Sequence, residues 1–138
     1  MKHLLWLLLF LLCVPNLFCQ AGRLKDGNDL LSKCGTAVRF SDSGNLPNQD
    51  TFDVAWCYGY IEGFRGALIR VRIDQAKTYE DYKNPLLAPL HLCVPFESTN
   101  GEVSRVVVNY LRANPTHLHD DVDTAMAFAL SGSYTCTK

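Results

Sequence analysis

Of the six cysteines in this sequence, Cys13 and Cys19 lie in a predicted N-terminal signal segment. The other four are the residues whose type most readily suggests chemistry: Cys34, Cys57, Cys93 and Cys136. They lack the C-x-x-C spacing of a structural zinc site. A cysteine nucleophile needs a histidine partner, and no sequence signature supports one here. In an exported chain an even number of cysteines indicates disulfides, so we expect two bridges and an oxidising compartment.

A second candidate is the run in which His117 and His119 precede three aspartates, Asp120, Asp121 and Asp123. Imidazoles and carboxylates that converge could bind a metal ion. The more ordinary interpretation is a solvated acidic first turn of a helix, which the helix dipole favours. We therefore expect no metal site and no cofactor.

The third candidate is a cluster of two aromatic and two acidic residues, Tyr79, Glu80, Asp81 and Tyr82. The cluster lies in the least regular part of the chain, 74–95, where prolines exclude one long helix. Tyrosines are enriched in binding surfaces, and a proline-limited loop is preorganised. Equally, both rings could cover the core beneath an irregular segment. Both interpretations stay open at this point.

The N-terminus predicts export. An apolar run, Leu4–Val14, follows two basic residues, and Cys19-Gln20-Ala21 offers small residues at the cleavage positions. These features are typical of a secretory signal over residues 1–21, with the mature protein starting near Gly22. A membrane anchor would need a longer apolar run without interruption, so we expect no membrane association after cleavage. A lipoprotein signal with acylation at Cys19 is the alternative.

The mature chain, residues 22–138, is long enough for one domain with a modest core. The formal net charge of the full sequence is −1, and the sequence has no strongly basic stretch. Nucleic acid is therefore not expected as the partner.

One helix should organise this domain. From Trp56 to Val71, one stripe at helical spacing is apolar: Cys57, Ile61, Phe64, Leu68 and Val71. Glycines occupy another side of the same helix: Gly59, Gly63 and Gly66. This pattern predicts a central helix that is buried over most of its circumference. The glycines predict a close helix contact, either within the core or across a two-fold homodimer.

Local signals predict the other helices. Asn28 should cap a first helix that begins at Asp29, and the central helix should start near Thr51. A short helical turn is expected at 78–82. Thr99 and Glu102 have the spacing of a capping box.

Pro115 should end the helix that follows the capping box. Thr116 should cap a last helix that stops at Gly132. The predicted fold is therefore all-α, a compact bundle of four main helices plus a short one.

Several of these segments together resemble one family, the Tai/Rap immunity proteins of type VI secretion. The family has a core motif, cysteine-Gly-Tyr-Ile-x-Gly, to which residues 57–63 are similar. Cys93-x-Pro95 and Gly101-Glu102 resemble the block that follows this motif in the family. Its C-terminal helices resemble 106–130, and its outer cysteines match Cys34 and Cys136. The chain departs from the family at its end, 133–136, where the family often has aromatic-Pro-Cys.

The resemblance implies an all-helical, disulfide-containing periplasmic protein, often dimeric. Members of the family bind and block peptidoglycan amidases that neighbouring bacteria inject. The expected partner is therefore a cell-wall amidase toxin, and the protein is not expected to be an enzyme.

Other classes of function remain as alternatives. A small periplasmic chaperone would have to expose apolar surface on acidification. A helical ligand carrier would need a continuous apolar cavity, which bulky side chains such as Trp56, Phe64 and Tyr110 should fill. A secreted hydrolase would need a catalytic constellation that the sequence does not support.

Helix directions predict the disulfide pairing. Cys34 lies in the first helix and Cys57 lies early in the second, so an antiparallel pair brings them together. Cys93 precedes the third main helix and Cys136 follows the fourth. Because these two helices run up and then down, the chain returns to where it began. We expect the bridges Cys34–Cys57 and Cys93–Cys136.

An inhibitor of an amidase groove needs a protruding segment and a rigid body that holds it. The irregular segment 74–85 is the first candidate, with Tyr79 and Tyr82 as anchors and Glu80 and Asp81 facing a basic rim. The rival segment is 98–102, at a helix entrance.

Overall fold

The computed structural model describes residues 26–45, 47–84 and 88–136. It confirms the predicted all-α bundle of four main helices and a short one. These are α1 (Gly27–Ser43), α2 (Thr51–Gln75), α3 (Tyr79–Lys83), α4 (Asn100–Ala113) and α5 (Val122–Ser131). Short 3₁₀ helices lie at Asn48–Asp50, Pro89–His91 and Pro115–His119. The predicted signal segment, 1–21, lies outside the described residues.

The first helix starts earlier than the sequence suggested, and its cap is Asp26 rather than Asn28. The Asp26 carboxylate accepts hydrogen bonds from the backbone N–H groups of Asn28 (3.0 Å) and Asp29 (3.2 Å). The bond from Asp29 is the largest cause that lowers the pKa of Asp26. The side chain of Asn28 instead donates to the carbonyl of Leu118, at 2.8 Å. Asn28 therefore ties α1 to the Pro115–His119 turn.

The cap predicted for the last helix is also wrong. Thr116 lies in the 3₁₀ helix, and α5 begins only after Asp121, whose carboxylate accepts from the N–H of Thr124 at 3.1 Å. The Thr99–Glu102 capping box is confirmed: each side chain accepts from the backbone N–H of the other residue. The predicted turn at 78–82 is confirmed as α3, with Thr78 as its cap.

The core lies between α1 and α4, and α2 and α5 complete it. The fully buried side chains of α1 and α4 include Leu30, Ala37, Val103, Val107 and Leu111. The prediction that α2 is buried over most of its circumference is wrong. Of its side chains only Val54, Cys57 and Ile61 are buried, and its C-terminal half exposes Ile69, Val71 and Ile73.

The glycines of α2 make no close contact within the described chain. A Cβ added at Gly59, Gly63 or Gly66 would meet no atom within 4 Å. The part of the prediction that placed this contact inside the core is therefore wrong, because the glycine side of α2 faces outward. Contact with a second copy of the chain stays a prediction.

Gly27 is the glycine at which backbone approaches backbone. A Cβ there would lie 2.6 Å from the carbonyl oxygen of His117 and 3.0 Å from the Cα of Leu118. We expect Gly27→Ala to lower the free energy of unfolding by about 1–3 kcal/mol, since neither backbone atom can move away cheaply.

The matched control is Gly63→Ala, which adds the same methyl group to a helix position that is open within the single chain. It should be neutral or stabilise the protein by up to about 1 kcal/mol through helix propensity. Urea unfolding of both variants checks this. Equal stability of the two variants would contradict the close packing of α1 on the Pro115–His119 turn.

Both predicted disulfides are confirmed. Cys34 pairs with Cys57 between α1 and α2, and both residues are fully buried. Cys93 pairs with Cys136, which joins the segment before α4 to the chain after α5. Because all four cysteines are paired, none of them is a thiol nucleophile.

Candidate partner-binding surface

A surface cleft lies along the C-terminal half of α2. Arg65, Leu68, Ile69 and Arg72 line it on the helix side. Pro89, Leu92, Val94 and Phe96 line it on the opposite side, and Tyr82 of α3 closes one part. Its volume is about 230 Å³. We call this cleft the α2 groove, and we call residues 88–98 the anchored loop.

The anchored loop has an unusual backbone at its tip. Leu90 and His91 adopt positive φ angles of 56° and 52°. Side-chain-bearing residues rarely adopt this conformation, and it persists only where surrounding contacts fix it. The side chain of Leu90 is 62% exposed. The loop therefore presents an apolar residue on a constrained backbone.

Contacts on either side of the tip fix this conformation. Leu92 is buried, and the N–H of Cys93 donates to the carbonyl of Tyr134 at 2.8 Å. The N–H of Cys136 donates to the carbonyl of His91 at 3.0 Å. The Cys93–Cys136 disulfide adds a covalent link at the same place. The tip is thus pinned to the chain that follows α5.

Arg65 fixes the other end of the anchored loop. Its guanidinium donates to the carbonyls of Pro95 (3.2 Å), Phe96 (3.2 Å) and Ser98 (3.1 Å). The same guanidinium forms an ion pair with the carboxylate of Glu62, at 3.5 Å. The guanidinium of arginine is a planar group with several N–H donors, and here it binds three carbonyls of one segment. The side chain of Phe96, 87% exposed, is therefore held outward by a fixed backbone.

We expect Arg65→Met to loosen the anchored loop. It should lower the free energy of unfolding by about 1–3 kcal/mol, because three hydrogen bonds to a charged donor are lost. Amide hydrogen exchange should increase at residues 96–98. Glu62→Gln is the control, since it removes only an exposed ion pair worth less than about 1 kcal/mol. Unchanged exchange in Arg65→Met would contradict the proposed anchoring.

The tyrosine and acid cluster predicted from the sequence lies beside this groove. Tyr79 is 70% exposed and its ring stacks on that of Tyr82, with centroids 6.5 Å apart. Tyr82 is half-buried and lines the groove. Glu80 pairs with Lys83 at 3.2 Å, and Asp81 belongs to the Thr78 capping box. The ring of Tyr79 is available at the surface and that of Tyr82 is partly so, whereas the acids have partners in α3 and in the residues just before it. Their role in binding a partner stays a prediction.

Sequence reasoning missed three residues of this surface: Leu90, Phe96 and Arg72. Leu90 lies in the irregular, proline-containing stretch 74–95, and Phe96 directly follows this stretch. Apolar residues within a proline-limited loop were the signal that could have found them. No sequence signal marks Arg72, because the path of the anchored loop decides whether this arginine lies in a groove.

Several side chains of the histidine and aspartate run make contacts within the fold. Nδ1 of His117 lies 2.6 Å from Asp120, and Asp121 caps α5. The carboxylate of Asp123 instead accepts a hydrogen bond from the hydroxyl of Tyr60. Burial, and then Asp123, raises the pKa of Tyr60 above its usual value. Across the three described segments, no group of three or more such side chains could hold a metal ion.

None of the helices in the described part of the chain combines the length and apolarity needed to cross a bilayer.

The family comparison agrees with the resemblance seen in the sequence. The model of the Rap1a immunity proteins matches residues 26–136, which include α1 to α5 and both disulfides. Comparisons with curated proteins and with solved structures returned no match.

Proposed function

The chain belongs to the family of Rap1a immunity proteins, and from this premise we propose that it protects its producer against a type VI effector. The effector is a peptidoglycan amidase, and protection consists of binding it in the periplasm and covering its active site. The protein acts by steric occlusion and has no enzymatic activity of its own.

The observation that carries this proposal is the set of apolar side chains held in water around the α2 groove. Phe96 and Ile69 line the groove, Leu90 follows the lining residue Pro89 in the chain, and the ring of Tyr79 stacks on that of Tyr82. The side chains of Phe96, Leu90 and Tyr79 are all more than half exposed. Exposed apolar side chains that cluster are typical of a protein-binding surface. Aromatic side chains in particular supply large contact area at low entropic cost.

The body that carries these side chains is rigid, as occlusion requires. The Cys93–Cys136 bridge fixes the middle of the anchored loop, and Arg65 fixes its C-terminal part. An inhibitor that is already ordered loses little conformational entropy when it binds. We propose that the anchored loop enters the amidase groove and that Tyr79 and Tyr82 extend the contact.

The rival segment, 98–102, is a weaker candidate. The carbonyl of Ser98 accepts from Arg65, and the side chains of Thr99 and Glu102 are engaged in the capping box. Bonds from Thr99 lower the pKa of Glu102, which keeps this carboxylate charged and committed to the helix. Few polar groups of this segment remain for a partner.

The periplasm is the compartment that fits the two disulfides, because the cytosol keeps thiols reduced. The predicted signal at residues 1–21 supports the same location. A homodimer is a further part of the proposal, with Gly59, Gly63 and Gly66 as its contact side.

Replacing Gly63 by leucine tests the dimer. The monomer has space for the new side chain, so Gly63→Leu should fold normally and reduce dimerisation by overpacking the contact between copies. Light scattering of the variant and its parent measures this. If both are dimers of equal stability, the glycine side is not the interface.

Co-expression tests the function. Cells that export a peptidoglycan amidase encoded beside this gene should lyse, and the full-length protein should protect them. A variant that lacks residues 1–21 should not protect, because it stays in the cytosol. Lysis that continues although both proteins reach the periplasm would contradict the immunity role.

A further inference from the structure

Arg72 is a partly buried cation for which the described residues supply neither a hydrogen-bond acceptor nor an ion-pair partner. Its side chain lines the α2 groove, and its Nε is buried without a hydrogen-bond partner. Buried donors are normally paired, and an unpaired one opposes folding. Within the described residues the guanidinium also forms no ion pair. An unpaired arginine at this place needs an explanation.

The neighbouring charges do not compensate for it. Asp74 pairs with Arg70 at 3.5 Å on the other side of the helix, and Glu62 pairs with Arg65. No carboxylate lines the α2 groove among the described residues. Arg65 also lines it, but its donors already bind the carbonyls of the anchored loop. Of the two arginines that line the groove, Arg72 is thus the one whose guanidinium has no acceptor among the described residues.

The surroundings of Arg72 suit a carboxylate with apolar neighbours. The guanidinium lies over the ring of Tyr82, 5.1 Å from its centroid. A guanidinium that lies over an aromatic face can still pair with a bidentate carboxylate through its two Nη atoms. Leu68, Ile69 and Phe96 provide apolar surface around it. A dianionic phosphate would be only half neutralised by one free arginine.

We propose that the α2 groove binds an acidic side chain of the partner protein, flanked by apolar residues, and that Arg72 pairs with its carboxylate. The identity of this partner as an amidase rests on the proposed function. The groove thereby adds specificity to the contact that the anchored loop makes, since an effector without this carboxylate would leave the arginine buried and unpaired.

Arg72→Gln is the first test, with Arg70→Gln as its matched control. Both variants remove one positive charge from α2, but Arg70 is exposed and paired with Asp74. The affinity for the amidase should fall by roughly 30-fold or more for Arg72→Gln and change little for Arg70→Gln. Equal effects of the two variants would show that only net charge matters and would overturn the inference.

Two further variants separate binding from structure. Arg72→Lys keeps the charge without the fork of donors, so it should recover only part of the affinity. Arg72→Met removes the unpaired donor, so the free protein should melt at the same or a higher temperature while binding is weakened. A large loss of stability in Arg72→Met would assign a purely structural role to this arginine.

A peptide experiment tests the groove without the amidase. Acetyl-Leu-Glu-Phe-amide and the matched acetyl-Leu-Gln-Phe-amide are titrated into the protein, and the Arg72 Nε–H resonance is followed by NMR. The acidic peptide should shift this resonance, and the neutral one should not. Equal shifts, or a response to inorganic phosphate alone, would overturn the inference. If the amidase does not bind but the acidic peptide shifts the resonance, the proposed function and its partner are wrong. The preference of the groove for a carboxylate is then still supported by the peptide result.

Discussion

Replacing both Cys34 and Cys57 by alanine should lower the free energy of unfolding by about 3–5 kcal/mol. The bridge joins residues separated by 23 positions, and it lies in the fully buried contact of α1 with α2. The chain-entropy estimate for such a loop is about 3.4 kcal/mol, and the lost packing of two buried sulfurs adds to it. A domain of this size has a total stability of only about 5–15 kcal/mol.

Urea unfolding without reductant measures this effect. The comparison variant replaces Cys93 and Cys136, which are separated by 43 positions and are less buried. Its loss should be about 4 kcal/mol from chain entropy, without the same loss of core packing. A Cys34→Ala/Cys57→Ala variant as stable as its parent would contradict the role assigned to the buried bridge.

The second large effect concerns binding. Phe96→Ser and Leu90→Ser should each weaken the complex with the amidase by roughly 30-fold or more, as truncation of an interface anchor does. Both side chains are mostly exposed in the free protein, so its melting temperature should not change. Isothermal titration calorimetry with the purified amidase measures the affinities.

Phe52→Ser is the matched control for these substitutions. Phe52 is 66% exposed, but it lies at the start of α2, roughly 20 Å along the helix from the groove. Its replacement should leave the affinity unchanged. A loss of affinity in Phe52→Ser without one in Phe96→Ser would move the interface to the opposite end of α2.

Tyr79→Ala with Tyr82→Ala tests the segment that the sequence singled out. The variant should bind several-fold more weakly, because both rings lie beside the groove. Thermal melting confirms that the fold is kept. Full inhibition by this variant would remove the tyrosines from the interface and leave the anchored loop as the binding segment.

The helices could be predicted because their signals are local. The capping box of Thr99 and Glu102 joins residues three positions apart, and the sequence therefore shows it directly. Asp26 was missed because Asn28 is an equally good cap by type. The choice between them depends on the Leu118 carbonyl, which binds Asn28 from 90 positions away.

The position of α2 could not be predicted from its pattern. Periodicity identifies an apolar stripe, but it does not tell whether another helix covers that stripe. Ile61 is covered, whereas Ile69 and Val71 are not. The glycines likewise showed where a close approach is possible, and not whether a neighbour is there.

The α2 groove is formed by residues that lie far apart in the sequence. Arg65 finds its carbonyl acceptors 30 to 33 positions later in the chain. Leu90 and His91 adopt a conformation that glycine or asparagine would have signalled, and neither residue type is present there. Only the prolines of this stretch indicated a constrained loop.

Titration of a purified amidase with this protein tests the proposed occlusion most directly. Release of product from peptidoglycan is measured against the concentration of the inhibitor, with Phe96→Ser and Phe52→Ser in parallel. We predict that activity falls to zero at a fixed stoichiometry, that a short stem-peptide substrate competes with the inhibitor, and that only Phe96→Ser needs a large excess. An amidase that remains fully active within a stable complex would contradict occlusion of the active site.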